Sequence, residues 1–415
     1  MQWIKITTFI VLFVSELHAI TLEDSIFNAY KNSNEIAIQQ MNIDISKAEI
    51  THSLQKFLPS AKYSLQRGTG YVSGLSAAGF GSDHAYNIKN DTFSITSDLS
   101  LHQIIAIQIQ SFQNLRSSKA KYSAFLNSFT VDIVQNHLDI IIANESLNLM
   151  KIMEKDIGID KYNSQIKSIT ESINHIENIG VESKYDDITS RVIQSEMAFE
   201  ILKDRYKTIT KNDAKNLELP NKFKLPAINF EEYLEMTLRE NKDLEDMKAQ
   251  MIIVNSVNIA SYLDLFMPKI SVSYVDSKSI IAFLPGSPLI RTKATTTSLD
   301  FALYENGDKL NNTIQASIQK RILERKKLIL EDSLKLSAKT YWSNHHSFLL
   351  LEKSKKKALE ISNIKLAVAL EKFSKKSISF SELVKMRVDF YNAKIDYLRV
   401  YREFVLNYYK ILSLV

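Results

Sequence analysis

Apolar and polar residues alternate with period two in four short stretches of the chain. In SAKYSLQR, which starts at Ser60, Ala61, Tyr63 and Leu65 fall on one face, opposite serine, lysine and glutamine. Such alternation is typical of a strand with one apolar and one wet side. The pattern predicts strands at about residues 60–67, 92–101, 269–277 and 295–304.

Most of the remaining chain has a helical period. Towards the C-terminus, apolar residues recur at alternating steps of four and three, as in Leu383, Met386, Phe390, Ala393, Tyr397 and Val400. This spacing predicts left-handed coiled-coil packing. Only 9 Gly and 6 Pro interrupt the 415 residues, so long helices should dominate. From about His102 to Ile179 there is no Pro, and residues near Gly158 are the one place where we expect a break or bulge. The predicted class is mainly α with a small β part.

The two halves of the chain resemble each other. ITLEDSIFNAYKNSNEI at Ile20 is similar to INFEEYLEMTLRENKDL at Ile228, and each segment leads to a Phe-x-Pro strand entry, at Pro59 and Pro268. Internal similarity at this spacing predicts a duplicated unit. We expect two structural repeats at 20–210 and 228–415, joined by a polar linker at 211–227. Each repeat would end in a long helical hairpin, with tips near 180 and near 376.

The first 19 residues have the features of a secretory signal peptide. Lys5 precedes the apolar run ITTFIVLFV, and SELHA then ends in the small residue Ala19. The run is too short to cross a bilayer as a helix, which requires about 20 residues. We therefore expect residues 1–19 to direct export of the chain.

The composition of the chain argues against an enzyme active site and against nucleic-acid binding. The net charge is only +5, with acids and bases interspersed, and the chain has no cysteine, which excludes disulfides and thiolate chemistry. The stretch GLSAAGFG lacks the Gly-Lys-Ser/Thr ending of a phosphate loop. His345 and His346 are adjacent, so they diverge on a helix and cannot chelate one metal ion. We expect no enzyme activity, no cofactor and no nucleic-acid partner.

The length of the predicted strands suits a membrane β-strand, which needs about 9–11 residues. Four strands do not close a barrel, and lipid does not tolerate an open sheet edge. If these strands lie in a membrane, other chains must complete the sheet. The alternative from the pattern alone is a pair of soluble hairpins, half-buried on a core.

The order of these elements resembles the TolC-like family of outer-membrane channels over nearly the whole mature chain. The resemblance rests on the repeat, on both Phe-x-Pro entries and on two helical turns. The family's turn motif is matched in ENIGVESKYDDI at Gly180, Ser183, Asp186 and Ile188, but Glu177, Tyr185 and Asp187 depart from it. In FSKKSISFSEL the residues that match are Phe373, Ser379, Glu382 and Leu383, whereas Lys376 replaces the glycine.

The resemblance implies a homotrimer in the outer membrane. Duplicated long coiled-coil helices of three chains would form a trimeric α-barrel in the periplasm, and four strands per chain would contribute to a 12-stranded transmembrane β-barrel. The chain would be a passive conduit for efflux of small molecules or type I protein secretion. An inner-membrane pump would supply energy through a periplasmic adaptor.

Three sets of site residues follow from this hypothesis. Acids at the helical tips would ring the narrow periplasmic end and favour cations: Asp186, Asp187 and Glu382. The structural alternative for these acids is a solvated turn or a helix N-cap. The candidate adaptor-docking turns contain Gly180, Ser183, Ser379 and Leu383. The strand positions expected to face lipid are Tyr63, Phe93, Ile95, Ile270, Val272, Leu299 and Phe301.

Two other functions fit parts of the sequence. A periplasmic coiled-coil adaptor also combines helical hairpins with β-structure, but it does not account for duplicated strand pairs after long helices. A structural coiled-coil protein of the envelope leaves the four alternating strands unexplained. Both would be recovered in soluble fractions, whereas a membrane channel requires detergent.

Overall fold

The computed structural model describes most of the chain and divides it into two compact units. The first unit takes its residues from Met1–Gln39, Tyr122–Leu244 and Leu330–Val415, and the second from Gln40–Lys121 and Glu245–Ile329. The residues described are 20–72, 84–170, 175–214, 216–220, 223, 228–282, 290–301 and 307–415. The predicted signal peptide at 1–19 lies outside them, as does most of 221–227 in the predicted linker. The predicted division into two sequence repeats is a different partition and stays a prediction.

Eight helices and four strands are present in the described residues. In chain order they are α1 (Leu22–Asn32), α2 (Asn34–Gln55), β1 (Ser60–Val72), β2 (His84–Leu99), α3 (Leu101–Thr170), α4 (His175–Thr210), α5 (Phe230–Glu240), α6 (Lys242–Leu263), β3 (Lys269–Ala282), β4 (Ile290–Asp300), α7 (Asp308–Ser374) and α8 (Phe380–Ser413).

The short helix pairs α1–α2 and α5–α6 have the same bounds 208 residues apart. Both pairs begin with a capping box, in which the N-cap side chain and an acid three residues later each accept a backbone N–H. The partners are Thr21 with Asp24 in α1 and Asn229 with Glu232 in α5. The same kind of capping box therefore begins the first helix of both pairs.

The expected break near Gly158 is wrong, because α3 continues as one helix of 70 residues. A Cβ at this position would lie 3.2 Å from the Tyr185 ring. Because Gly158 has no side chain, α4 can approach α3 closely at this position, and the glycine does not interrupt α3. The tip expected near 180 falls inside α4, and residues 171–174 between α3 and α4 lie outside the described residues.

The strands form one antiparallel sheet in the second unit, in the order β1-β2-β3-β4. Tyr63 pairs with Phe93, Ile95 with Tyr274, and Val272 with Thr297. Since β2 pairs with β3, the strands from both halves of the sequence share one sheet. In this chain β1 and β4 are the edge strands.

The predicted strands have the right locations but the wrong lengths. β1, β2 and β3 extend further towards their hairpin connections than expected, and β4 begins at Ile290, five residues before the predicted start. Leu101, assigned to a strand in the prediction, begins α3. Residues 302–304 of the predicted fourth strand lie outside the described residues. The hairpin ends were missed because charged residues and glycines there obscure the alternation.

The cores of the first unit are narrow clusters between neighbouring helices. Leu147, Met153 and Ile157 of α3 pack with Ile188 of α4 and Tyr391 of α8. Further clusters join α1 to α3 and α5 to α7 and α8. No helix in the described part of the chain has the length and apolar character needed to cross a bilayer.

A buried polar network lies among α1, α3 and α4. The Ser25 hydroxyl is 2.9 Å from Nδ1 of His137 and 2.7 Å from the Tyr206 hydroxyl. Nε2 of His137 lies 3.0 Å from the Glu218 carbonyl oxygen, so it is the ring nitrogen that donates a proton. Nδ1 then accepts from Ser25, and the neutral ring satisfies both partners.

Burial lowers the pKa of His137 below its usual 6.5, and the hydrogen bond to Glu218 only partly opposes this shift. Between the lowered pKa and 6.5, the unfolded chain binds a proton that the folded chain does not. We therefore expect stability to decrease as pH falls through 6.5, and this loss to be smaller in His137→Gln. The measurement is the difference in helix melting temperature between about pH 7.5 and about pH 5.5. The exposed control His346→Gln should retain the wild-type difference. An unchanged difference in His137→Gln would refute this role of the ring.

Candidate functional site

The sheet has one face that carries large apolar side chains close to the helix-connected ends of the strands. Residues paired across an antiparallel ladder share a face. The register therefore places six of the predicted lipid-facing positions together: Tyr63, Phe93, Ile95, Ile270, Val272 and Leu299. Phe301 follows the last residue of β4, and its side chain is exposed. We call this side of the sheet the apolar face.

The opposite side, which we call the hydroxyl face, is rich in small polar side chains. The Ser60 and Thr96 hydroxyls are 2.8 Å apart, and Ser279 donates to Asn90 at 2.7 Å. The register adds Ser64, Thr92, Ser94, Ser271, Ser273, Ser277, Thr292, Thr296 and Ser298. Apolar residues such as Val275 and Ala294 also lie on this face, and Ser97, Thr295 and Thr297 lie on the apolar face, so the two faces differ in their predominant side chains and not in every position.

Charged side chains occupy the apolar face towards the hairpin ends of the strands. Arg67 of β1 forms an ion pair with Asp91 of β2 at 2.6 Å. Arg291 of β4 binds Asp276 of β3 through two nitrogens, at 3.0 and 2.6 Å. The sequence prediction missed this arrangement, because Asp91 and Arg291 lay outside the predicted strands.

In the first unit, the beginnings of α4 and α8 line a groove of about 500 Å³. We call it the tip groove, and its lining includes Gly180, Lys184, Glu382, Lys385, Val388 and Asp389. Two lysines and two acids line the groove together with its floor, which contains Val181 and Val384, both buried. Its mixed polarity and open form suit a protein segment better than a small molecule.

The predicted gate acids have different surroundings. Glu382 accepts from the backbone N–H of Ser379 at 3.3 Å, and its own N–H donates to the Ser379 hydroxyl at 3.2 Å. It is therefore the N3 acid of the α8 capping box, in which Ser379 is the N-cap. Asp187 forms an ion pair with Arg191, one turn along α4, at 3.2 Å. Asp186 is exposed on the same helix.

The candidate docking residues divide into surface and core. Gly180 lines the tip groove, and a Cβ there would meet nothing within 4 Å. Ser183 is exposed on α4, whereas Leu383 is fully buried. In this conformation Leu383 supports the packing beneath the groove and offers no surface to a partner.

The turn after α7 is closed by a lysine in the left-handed conformation. Lys376 has φ 57°, at the position where the family's motif has glycine. Its N–H donates to the Phe373 carbonyl, and the Ser377 N–H donates to the Lys372 carbonyl, each at 2.9 Å. This is the Schellman arrangement, which normally takes glycine at this position because a Cβ is unfavourable there.

Sequence reasoning missed a polar link between α3 and α8, which we call the Asp156 link. Arg387 donates to the Asp156 carbonyl oxygen at 3.0 Å, and the Tyr391 hydroxyl donates to its carboxylate at 3.1 Å. Burial, reinforced by Asp156, raises the pKa of Tyr391 to about 12, so the hydroxyl stays a donor. The partners are more than 230 residues apart in sequence. The local pattern of apolar and polar residues therefore gives no indication of this contact.

Beside this link, Lys161 of α3 lies over the Tyr185 ring, with Nζ 4.8 Å from the ring centroid. Nζ is also 3.1 Å from Glu182 of α4. These contacts account for Tyr185, one of the departures from the family's turn motif, since its ring fills the space left by Gly158.

The adjacent histidines of α7 do not belong to a candidate metal site within the described residues. No group of three or more histidines and acids within the described ranges could hold a metal ion. His345 is half-buried and stacks on Phe404 with ring centroids 5.2 Å apart. Burial lowers the pKa of His345, and the neighbouring His346 lowers it further.

Solved outer-membrane channels have the same architecture. The outer membrane channel CmeC of Campylobacter jejuni superposes with a TM-score of 0.82 at 13% identity, covering 95% of this chain and 85% of that one. The outer membrane protein VceC of Vibrio cholerae gives a TM-score of 0.75 at 9% identity, with 95% of each chain covered. The open state of the MtrE outer membrane channel of Neisseria gonorrhoeae gives 0.73 at 13% identity, covering 95% and 88%.

The chain therefore has the fold of the TolC-like outer-membrane channels. This confirms the resemblance drawn from the strand entries and helical turns. No family model and no curated protein matches at the sequence level. The TolC-like fold is thus retained here with only a small fraction of identical residues.

In this TolC-like fold the Lys376 turn yields a stability prediction. Lys376→Gly removes the left-handed Cβ penalty and should stabilise the chain by about 0.5–1 kcal/mol, after the entropy gained by the unfolded state. Lys375→Gly is the matched control, because Lys375 has no positive φ and bonds to Glu371, so this change should destabilise. The measurement is the free energy of unfolding in denaturant. Equal effects of the two glycines would contradict this account of the turn.

Proposed function

We propose that this chain is one subunit of a trimeric outer-membrane channel. The observation that carries the proposal is the four-stranded sheet, with edge strands β1 and β4, an apolar face and a hydroxyl face. The strands contain 11 to 16 residues, and about 9–11 suffice to cross a bilayer. Three copies would supply twelve strands, an even number that closes into a barrel.

The helices of the second unit support association with further copies. Leu310, Ile314, Ile318 and Ile322 follow one another at four-residue steps along α7, and each is between 42% and 57% exposed. Ile105, Ile109 and Phe112 of α3 are also exposed. Contiguous apolar stripes of this kind mark protein interaction surfaces. Neighbouring subunits in a helical barrel would cover them.

The orientation follows from the two sheet faces. The apolar face would contact lipid, and the hydroxyl face would line a water-filled lumen. The helices would then lie on the periplasmic side, in line with the predicted export signal. The channel would conduct passively, serving efflux of small molecules or type I protein secretion.

The tip groove is our candidate surface for a periplasmic adaptor that connects the channel to an inner-membrane transporter. Its valine floor and surrounding charges could receive a helical hairpin. Ser183 and Gly180 are on the accessible side, and Ser379 fixes the start of α8. Of the proposed gate acids, Asp186 would contribute most to a cation-selective ring, because Asp187 is paired with Arg191 and Glu382 caps α8.

The Asp156 link is our candidate for the element that holds the conduit closed. It ties α8 to α3 by hydrogen bonds that can exchange for water at little net cost. Two states of a packed helix pair can then differ by a small free energy. A partner that competes for α8 would bias the open state.

The experiment is single-channel conductance of the detergent-extracted full chain in planar bilayers. Removing the link with Arg387→Gln and Tyr391→Phe together should raise the mean conductance about twofold or more, because α8 is released. The matched control is Tyr397→Phe, which removes another α8 hydroxyl that bonds to Glu352. It should conduct like the wild type.

Two outcomes would count against the proposal in different ways. A protein that stays in solution without detergent and never conducts would contradict the channel, and would favour the adaptor or structural alternative. A conducting channel whose conductance is unaffected by the double substitution would contradict only the role of the Asp156 link.

A further inference from the structure

Five basic side chains form a band on the apolar face of the sheet, towards the hairpin ends of the strands. They are Arg67, Lys89, Lys278, Arg291 and Lys293, and we call them the basic rows. The register assigns them to the same side as Tyr63 and Phe93. All five are exposed.

Carboxylates on this face are too few to neutralise the basic rows. Asp91 is occupied by Arg67. Asp276 is bound by both guanidinium nitrogens of Arg291, and Lys293 lies 3.8 Å from the same carboxylate. In the described strands, five positive charges against two negative ones leave a positive excess on a face that otherwise carries apolar and uncharged polar side chains.

The free-energy cost of placing charged side chains in hydrocarbon determines the depth of the basic rows in a membrane. A lysine or arginine on the lipid face of a barrel costs about 2–4 kcal/mol at the bilayer midplane and about 0–1 near the interface. Residues closer to the helix-connected ends, such as Ile270, Val272 and Leu299, are apolar and suit the hydrocarbon. The basic rows therefore belong at headgroup level, on the side away from the helices.

We propose that the basic rows bind the phosphate groups of outer-leaflet lipids. This inference rests on the proposed function, because it requires the apolar face to contact lipid. Lysine ammonium groups pair with phosphate as point charges, and a guanidinium group has five N–H donors, more than one carboxylate takes up. Apolar rows beside basic rows match the acyl chains and the phosphates of one lipid layer.

The test uses the full-length trimer in vesicles of phosphatidylcholine with lipid A, a glucosamine lipid that carries two phosphates, or with the same lipid after both phosphates are removed. After mild extraction, native mass spectrometry counts the lipid A molecules retained per trimer. The wild type should retain the phosphorylated form preferentially. Lys89→Gln, Lys278→Gln and Lys293→Gln together should lower this preference about tenfold.

The matched control is Lys62→Gln with Lys269→Gln, two exposed lysines on the hydroxyl face of the same sheet. This variant should keep the wild-type preference. Replacing the three lysines of the basic rows by arginine should also keep it, which distinguishes loss of charge from loss of folding. High salt should weaken the preference, because exposed charges are screened.

Equal retention of both lipids by a wild-type trimer that inserts would overturn the lipid proposal and leave the channel standing. An equal loss in the hydroxyl-face control would also overturn it, because the effect would then be general charge. A chain that does not insert into either vesicle, as seen by flotation before any lipid is counted, would overturn the channel and the lipid site together.

Discussion

The unpaired backbone groups of β1 and β4 are the constraint on which the rest depends. Each edge presents N–H and C=O groups that water can satisfy and hydrocarbon cannot, at a cost of several kcal/mol per group. The four-stranded sheet cannot satisfy them alone, yet its apolar face carries side chains that favour lipid. In the channel that we propose, pairing with strands of other copies satisfies both requirements. The trimer, the lumen and the orientation of the helices that we propose would follow from that pairing.

In the first unit, both apolar clusters and polar contacts join the helices. Its apolar clusters lie between neighbouring helices, and polar contacts add to them. Capping boxes start α1, α5 and α8, the Ser25–His137–Tyr206 network lies between helices, and the Asp156 link ties α8 to α3. Such contacts are strong when buried and exchangeable when wetted. Under the proposed function, a helical conduit that opens would use contacts of this kind where its helices move.

Much of the fold could be predicted because its signals are local. Period-two alternation located the four strands, and the Phe-x-Pro entries with the TLEDS-like starts indicated the TolC-like fold. The prediction missed the hairpin ends of the strands, because Arg67, Asp91 and Arg291 stand at positions where the alternating pattern would have apolar residues. Gly180 and Glu382 were placed in turns by motif, although Gly180 lies within α4 and Glu382 lies in the first turn of α8. Asp156 and Tyr391 could not be predicted as partners, since only tertiary packing brings them together.

The most direct measurement is disulfide crosslinking between the two edge strands. The chain has no native cysteine, so only the introduced cysteines can form disulfides. Cysteines would replace Ser60 or Ser64 on β1, combined in turn with Thr292, Thr296 or Ser298 on β4. Within one chain these strands are separated by three spacings of about 4.8 Å, well beyond disulfide reach of about 7 Å between Cα atoms. The account predicts bonds between copies in membranes, with a ladder on a denaturing gel that ends at the trimer. Absence of bonds for every pair, with the protein remaining a soluble monomer, would contradict it.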